Sequence, residues 1–193
     1  MSKLTGTEIK IAILNGDIKI INHKDEAIGT ESIDLHLDYH LVEVIPNDGK
    51  FIDPKKPQLT KEVYLHEVGQ SSELYYKLYP GKLYLASTVE EVGSEVYHCG
   101  LHDKSSCARI GISTHKNSGF GDCGFLGAWT LEIKVDYPTK LYVGMAICQM
   151  SFETLIGERT MYYDRPSSKY MNQEGPTKSK IDLNFQNEKS DNN

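Results

Sequence analysis

From its N-terminus the chain begins with a helical pattern and then abandons it. Thr5-Gly6-Thr7-Glu8 forms a capping box, Ile9, Ala12 and Ile13 recur at helical spacing, and Asn15-Gly16 supplies a stop. One short helix over residues 6–15 is predicted. Beyond it, apolar residues gather in β-rich runs separated by turn residues: SIDLHLDYHLVEVI, KLYLASTVEEV, AWTLEIKVDY and MAICQMSFETL. In the first run Ile33, Leu35 and Leu37 alternate with Asp34 and His36, the period of a half-buried strand. Tyr79-Pro80-Gly81 and Tyr142-Val143-Gly144 are turns of the kind that join antiparallel strands. The expected fold is mainly β, a sandwich or distorted barrel with little helix.

From Gly157 onward the periodicity is lost. The polar run Arg165-Pro166-Ser167-Ser168-Lys169 through Thr177 is either a flexible tail or a lid that orders on a ligand. Residues 1–181 are expected to form one domain, since no internal repeat or domain-scale linker interrupts them, and 182–193 a disordered tail.

With 193 residues, 39% apolar and 25% charged, the chain can bury a substantial core. Its 21 Lys and Arg against 27 Asp and Glu give a net charge of −6, so nucleic acid is not an expected partner and any phosphate site must be local. No run reaches the roughly 18 apolar residues of a membrane span, and MSKLTGTEIK lacks the apolar core of a signal peptide. A cytoplasmic address with no membrane partner follows as the expectation. Cys99, Cys107, Cys123 and Cys148 contain no C-x-x-C pair, so they are expected to be reduced and mostly buried, with no zinc site.

Two segments could carry chemistry. Lys104-Ser105-Ser106-Cys107-Ala108-Arg109 sets two cations and two hydroxyls within six residues, a donor set suited to phosphate oxygens; taken alone, such a run is more often a solvated loop. In Ser118-Gly119-Phe120-Gly121-Asp122-Cys123-Gly124-Phe125 the glycines let the backbone bend sharply and hold Asp122 on a tight turn close to a ligand. Glu132 follows within Thr130-Leu131-Glu132-Ile133, where Leu131 and Ile133 would face the core if Glu132 faces away. A solvent-facing strand glutamate has the same pattern. His98, His102 and His115 lie nearby without metal-ligand spacing.

Taken together, P-G-x-L, K-S-S-x-x-R, S-G-F-G-D-x-G-F-x-G, T-L-E, V-G-M with Gln149 after it, and S-K-Y-x-x-Q-x-G-P-T resemble the dCTP deaminases of the trimeric dUTPase superfamily. The resemblance spans nearly the whole chain. It implies a dUTPase-like distorted β-barrel or sandwich assembled as a homotrimer, active sites between subunits, and a C-terminal segment of about 160–181 closing over dCTP or dUTP. By position it implies Ser105 and Arg109 at the triphosphate, with Lys104 and Ser106 beside them. Asp122 would lie at the sugar and reacting water, and Glu132 would shuttle protons at the cytosine ring. Ser118, Gly119, Phe120, Gln149, Tyr162, Lys169 and Gln173 would contact the nucleotide. Zinc nucleobase deaminases carry H-x-E with P-C-x-x-C, which this chain lacks. The implied cofactor is Mg²⁺ on the triphosphate with no direct protein ligand. Single-step family members carry a His-Arg pair before the Ile-Asp of the turn; Gly119-Phe120 stand there in this chain, as in members that continue to dUMP and pyrophosphate. The alternatives are a deaminase that stops at dUTP, a plain dUTPase and a non-catalytic nucleotide-binding regulator.

Overall fold

The computed structural model describes residues 2–116, 118–159, 163, 165 and 168–186. The expected helix is α1 (Gly6–Asn15): Thr5 Oγ1 accepts the Glu8 N–H at 3.4 Å, and Gly16 ends it at φ +80°. Ile9 and Ala12 form its buried face.

The rest is β structure, as the run pattern predicts. The strands are β1 (Ile18–Ile21), β2 (Ile33–Ile45), β3 (Leu59–Glu62), β4 (Leu65–Glu67), β5 (Leu74–Leu78), β6 (Tyr84–Ser94), β7 (Tyr97–Asp103), β8 (Ile112–Ser113), β9 (Phe120–Gly121), β10 (Ala128–Val135), β11 (Thr139–Tyr142) and β12 (Ala146–Thr154). A single helical turn, α2 (Ser105–Ala108), stands between β7 and β8. All the paired strands are antiparallel. The main sheet runs β8-β10-β6-β2-β12-β7-β9, with β1 added on β6 and β3 on β2; a second sheet runs β11-β5-β4.

That order forces curvature. β8 and β9 are the two ends of the path, yet only residues 114–119 join them. From Ser113 to Phe120 an extended chain reaches at most about 25 Å, whereas six flat inter-strand steps would span about 29 Å. The sheet therefore curls into a half-barrel. Its inner face carries the alternating residues expected of β2, Ile33, Leu35 and Leu37, all fully buried, with Leu131 and Ile133 of β10 and Ile147, Met150 and Phe152 of β12. Tyr76, Leu78 and Leu141 of the small sheet join the same core.

The turn after β9 is held on β6. Gly124 N–H donates to the Ser94 carbonyl at 2.6 Å and Val92 N–H to the Gly127 carbonyl at 3.0 Å. Gly93 between them admits this approach: a Cβ there would lie 1.8 Å from the Phe125 carbonyl oxygen and 2.8 Å from Leu126 Cα. Both obstacles are main chain, so a methyl has nowhere to go. Gly93→Ala is expected to cost about 2–4 kcal/mol and to lower Tm by about 5–15 °C in thermal unfolding; an unchanged Tm would show that the turn yields.

Candidate active site

One cavity of about 440 Å³, in the range of small-molecule sites, lies against β10 on the face away from the core. Strand β10 forms its floor. With Leu131 and Ile133 buried on the core side, Thr130 and Glu132 face the cavity. The register shift between Ala128 and Thr130 lets Trp129 line the same cavity. Its ring nitrogen donates to the Val92 carbonyl at 3.1 Å.

Glu132 is gripped from one side. Its Oε2 accepts the Lys116 N–H at 3.2 Å and the Ser118 hydroxyl, while its own N–H donates to the Thr114 carbonyl at 2.9 Å. Among the described residues nothing donates to Oε1. The connection that closes the sheet is thus the same one that orients this carboxylate.

Ser118, Phe120, Gly121 and Asp122 follow on the cavity wall, while Gly119 is not part of it. A Cβ on Gly119 would meet the Leu101 carbonyl oxygen at 2.3 Å, so Gly119 serves close packing on β7. A Cβ on Gly121 would lie 2.3 Å from Cη2 of Trp129, so the indole occupies the space a side chain at 121 would need. Phe120 is largely exposed, its ring 4.2 Å from that of His98. The exposed Asp122 sits on a turn closed by Phe125 N–H on its carbonyl at 3.1 Å. Beyond Asp122 lies a smaller cavity of about 200 Å³ lined by His98, Cys123, Arg159 and Arg165.

The C-terminal segment roofs the cavity. Asn172 N–H donates to Leu126, the Gln173 carbonyl accepts from Ala128, and Thr177 N–H reaches Thr130 Oγ1 at 3.0 Å. The Thr130 hydroxyl donates in turn to Gln173 Oε1 at 3.4 Å. Ser179 N–H is accepted by Gln58 Oε1 at 2.7 Å. Tyr163 and Tyr170 add aromatic wall. Burial raises the Tyr163 phenol above its ordinary range, and the Asp122 charge adds to that.

Ser118, Phe120, Asp122, Glu132 and Gln173, expected from the sequence, therefore meet at one cavity. Lys104, Ser105, Ser106 and Arg109 do not line it. Lys104 pairs with Asp34 at 2.5 Å, Ser105 and Ser106 are exposed, and Arg109 Nη1 folds back on the Ser105 carbonyl at 3.0 Å. Gln149 lies beneath the start of α2, donating to the Asp103 carbonyl at 3.3 Å and accepting from Ser32. Lys169 reaches Asn184, and its carbonyl accepts from Lys180. Tyr162 lies outside the described residues. Trp129, Phe125, Tyr163 and Tyr170 were passed over because aromatic residues beside apolar ones look like core; Gln58 carries no local signal at all.

All four cysteines are free and buried. Burial, with a smaller push from Cys123, raises the Cys99 thiol to about 12; burial likewise raises Cys107, Cys123 and Cys148. They are packing groups rather than nucleophiles. Among the described residues, no cluster of three or more His, Cys, Asp or Glu side chains could hold a metal ion. Among the described residues, no helix is long and apolar enough to cross a membrane.

A carboxylate held on one oxygen, open on the other and walled by aromatic rings and hydroxyls can take up a planar polar ring and move protons on it. Comparison with known proteins agrees in kind. The model of the dCTP deaminase-like family matches residues 3–155. A dUMP-forming dCTP deaminase of Corynebacterium jeikeium is 39% identical over 191 residues, covering 95% of this chain and 99% of that protein. Another, of Cytophaga hutchinsonii, is 35% identical over 183 residues, covering 95% and 98%. In fold, the chain resembles the crystal structure of 2'-deoxycytidine 5'-triphosphate deaminase from Agrobacterium tumefaciens, with a TM-score of 0.57 and 22% identity. That match covers 79% of this chain and 48% of the longer one. By the extent of the family match and its near full-length relatives, the chain belongs to the dCTP deaminase-like family.

Proposed function

We propose that the protein deaminates dCTP and carries the product on to dUMP and pyrophosphate. The observation that carries this reading is Glu132, whose Oε2 is fixed by Lys116 and Ser118 while Oε1 remains open at the cavity. Relatives 35–39% identical over nearly their full length are named dCTP deaminase, dUMP-forming.

In the first step water adds at C4 of cytosine and loses a proton to Glu132. The carboxyl passes that proton to ring N3, then carries the proton of the new C4 hydroxyl to the exocyclic amine, and ammonia leaves as the C4 carbonyl forms. A second water attacks the α-phosphorus, the bond to the β-phosphate bridging oxygen breaks, and dUMP and pyrophosphate depart. Asp122, on its glycine-flanked turn, orients that water or takes its proton. Phe120, Gly119 and Ser118 shape the neighbouring wall, Gln173 and Tyr162 meet the nucleotide from the closing segment, and Gln149 steadies α2.

The cavity of one chain presents two carboxylates, while its α2 faces elsewhere. This supports a homotrimer in which Lys104, Ser105, Ser106 and Arg109 of a neighbouring subunit meet the triphosphate, joined by Lys169 of the closing segment. Mg²⁺ travels on the triphosphate oxygens and offsets their charge, with no protein side chain as ligand. Residues 1–181 form one domain in this reading, about 160–181 closing over the nucleotide and 182–193 trailing it. Buried thiols and a nucleotide substrate fit a cytoplasmic setting.

Glu132→Gln keeps the shape of the side chain but cannot accept the proton, so ammonia release from dCTP should fall about 10²- to 10⁴-fold while dCTP still binds. Near-normal release would remove Glu132 from the reaction. Chromatography of the nucleotide products of wild-type protein with dCTP and Mg²⁺ should give dUMP and pyrophosphate with little free dUTP; dUTP as the sole stable product would reduce the reading to a simple deaminase. Gln58→Ala removes the acceptor of the Ser179 N–H and should speed amide exchange at Ser179 by about tenfold, corresponding to one lost hydrogen bond. Unchanged exchange would show that the closing segment does not depend on Gln58.

A further inference from the structure

Asp103 ends β7 and immediately precedes Lys104 and α2, but its carboxylate turns away from that helix. Its Oδ1 accepts the Thr114 N–H at 2.7 Å and the Thr114 hydroxyl as well. Thr114 is fully buried, so both of its donors depend on this one oxygen. On its other side the Thr114 carbonyl accepts the Glu132 N–H at 2.9 Å. Two residues on, Lys116 N–H donates to Glu132 Oε2 at 3.2 Å, and Ser118 adds its hydroxyl. One side chain on β7 therefore clamps the start of the segment whose donors aim Glu132. Strands β7 and β10 lie near opposite ends of the sheet path, and Thr114 is bracketed between them.

We propose that Asp103 is a positioning residue for the deamination step: by holding Thr114 it fixes the approach of Lys116 and Ser118 and thereby the direction of the Glu132 carboxylate. The assignment rests on the deaminase reading, but the clamp itself is a matter of geometry. Asp103 touches neither the cavity nor any of its lining side chains other than through this segment. Its action falls on the orientation of a proton-transferring group, so it is felt in turnover more than in binding. The acceptor, not the charge, is what Thr114 needs. An amide oxygen at the same place takes both donors.

The test compares wild type, Asp103→Ala and Asp103→Asn by amide exchange at Lys116 and by dCTP kinetics. Asp103→Ala should raise Lys116 exchange at least about tenfold and lower kcat by about 10- to 100-fold with little change in KM. Asp103→Asn should restore most of both. Unchanged Lys116 exchange in Asp103→Ala, a loss confined to KM, or an Asn variant as impaired as the Ala variant would each overturn the proposal. If Asp103→Ala does not fold, Thr114→Val removes one of the two donors without changing the side chain's shape. It should then give a smaller rise in Lys116 exchange and a smaller fall in kcat, and wild-type behaviour in both would overturn the proposal. A wild-type protein that releases no ammonia would sink the deaminase reading alone, since Lys116 exchange in the variants would still decide whether Asp103 sets the segment.

Discussion

The short connection between β8 and β9 constrains everything else in this molecule. Residues 114–119 must bridge the two ends of a seven-strand path, and they can do so only if the sheet curls. The other crossing of the same gap, from β7 to β8, is made through α2. The K-S-S-x-x-R motif thus lies in one of the two connections that bring the sheet's ends together, and the glycine-rich motif begins in the other. One becomes the frame around Glu132, and the other is left as an exposed turn. The buried residues of β2, β10 and β12 stabilise the curl by removing their apolar faces from water, so the position of the carboxylate is inherited from the packing of the core.

How much of this was readable beforehand depended on the range of the interaction. The cap and stop of α1 and the alternation of Ile33, Leu35 and Leu37 are local signals, and each appears in the structure as expected. Strands β3, β4, β8, β9 and β11 have two to four residues each, too few to impose a visible period. The orientation of Glu132 could be inferred from its neighbours, but its donors could not: Lys116 contributes a main-chain N–H, which no side-chain pattern records. Gln58 meets Ser179 across 121 positions of sequence. Trp129 enters the cavity because a register irregularity turns it there, and strict alternation would have sent it inward with Leu131.

Charge is distributed with the same economy. The chain is acidic overall, and two carboxylates, Asp122 and Glu132, line the cavity. The cations of the K-S-S-x-x-R motif are spent elsewhere, Lys104 on Asp34 and Arg109 on the backbone of its own turn. Like charges at short range raise the cost of binding a polyanion beside these carboxylates, and in the proposed trimer a neighbouring subunit offsets it. Assembly and catalysis are for that reason one problem in the reading given above.

The contact between Gly121 and Trp129 bears on the history of the site. The two positions, eight residues apart, share a single volume: a Cβ at 121 would come within 2.3 Å of the indole. A lineage that first gains a side chain at 121 must displace a packed ring. One that first loses the ring opens a void beside β9. Either order passes through a weakened protein, and the Cys99 carbonyl oxygen, 2.7 Å from the same Cβ, would obstruct a side chain at 121 even without the ring.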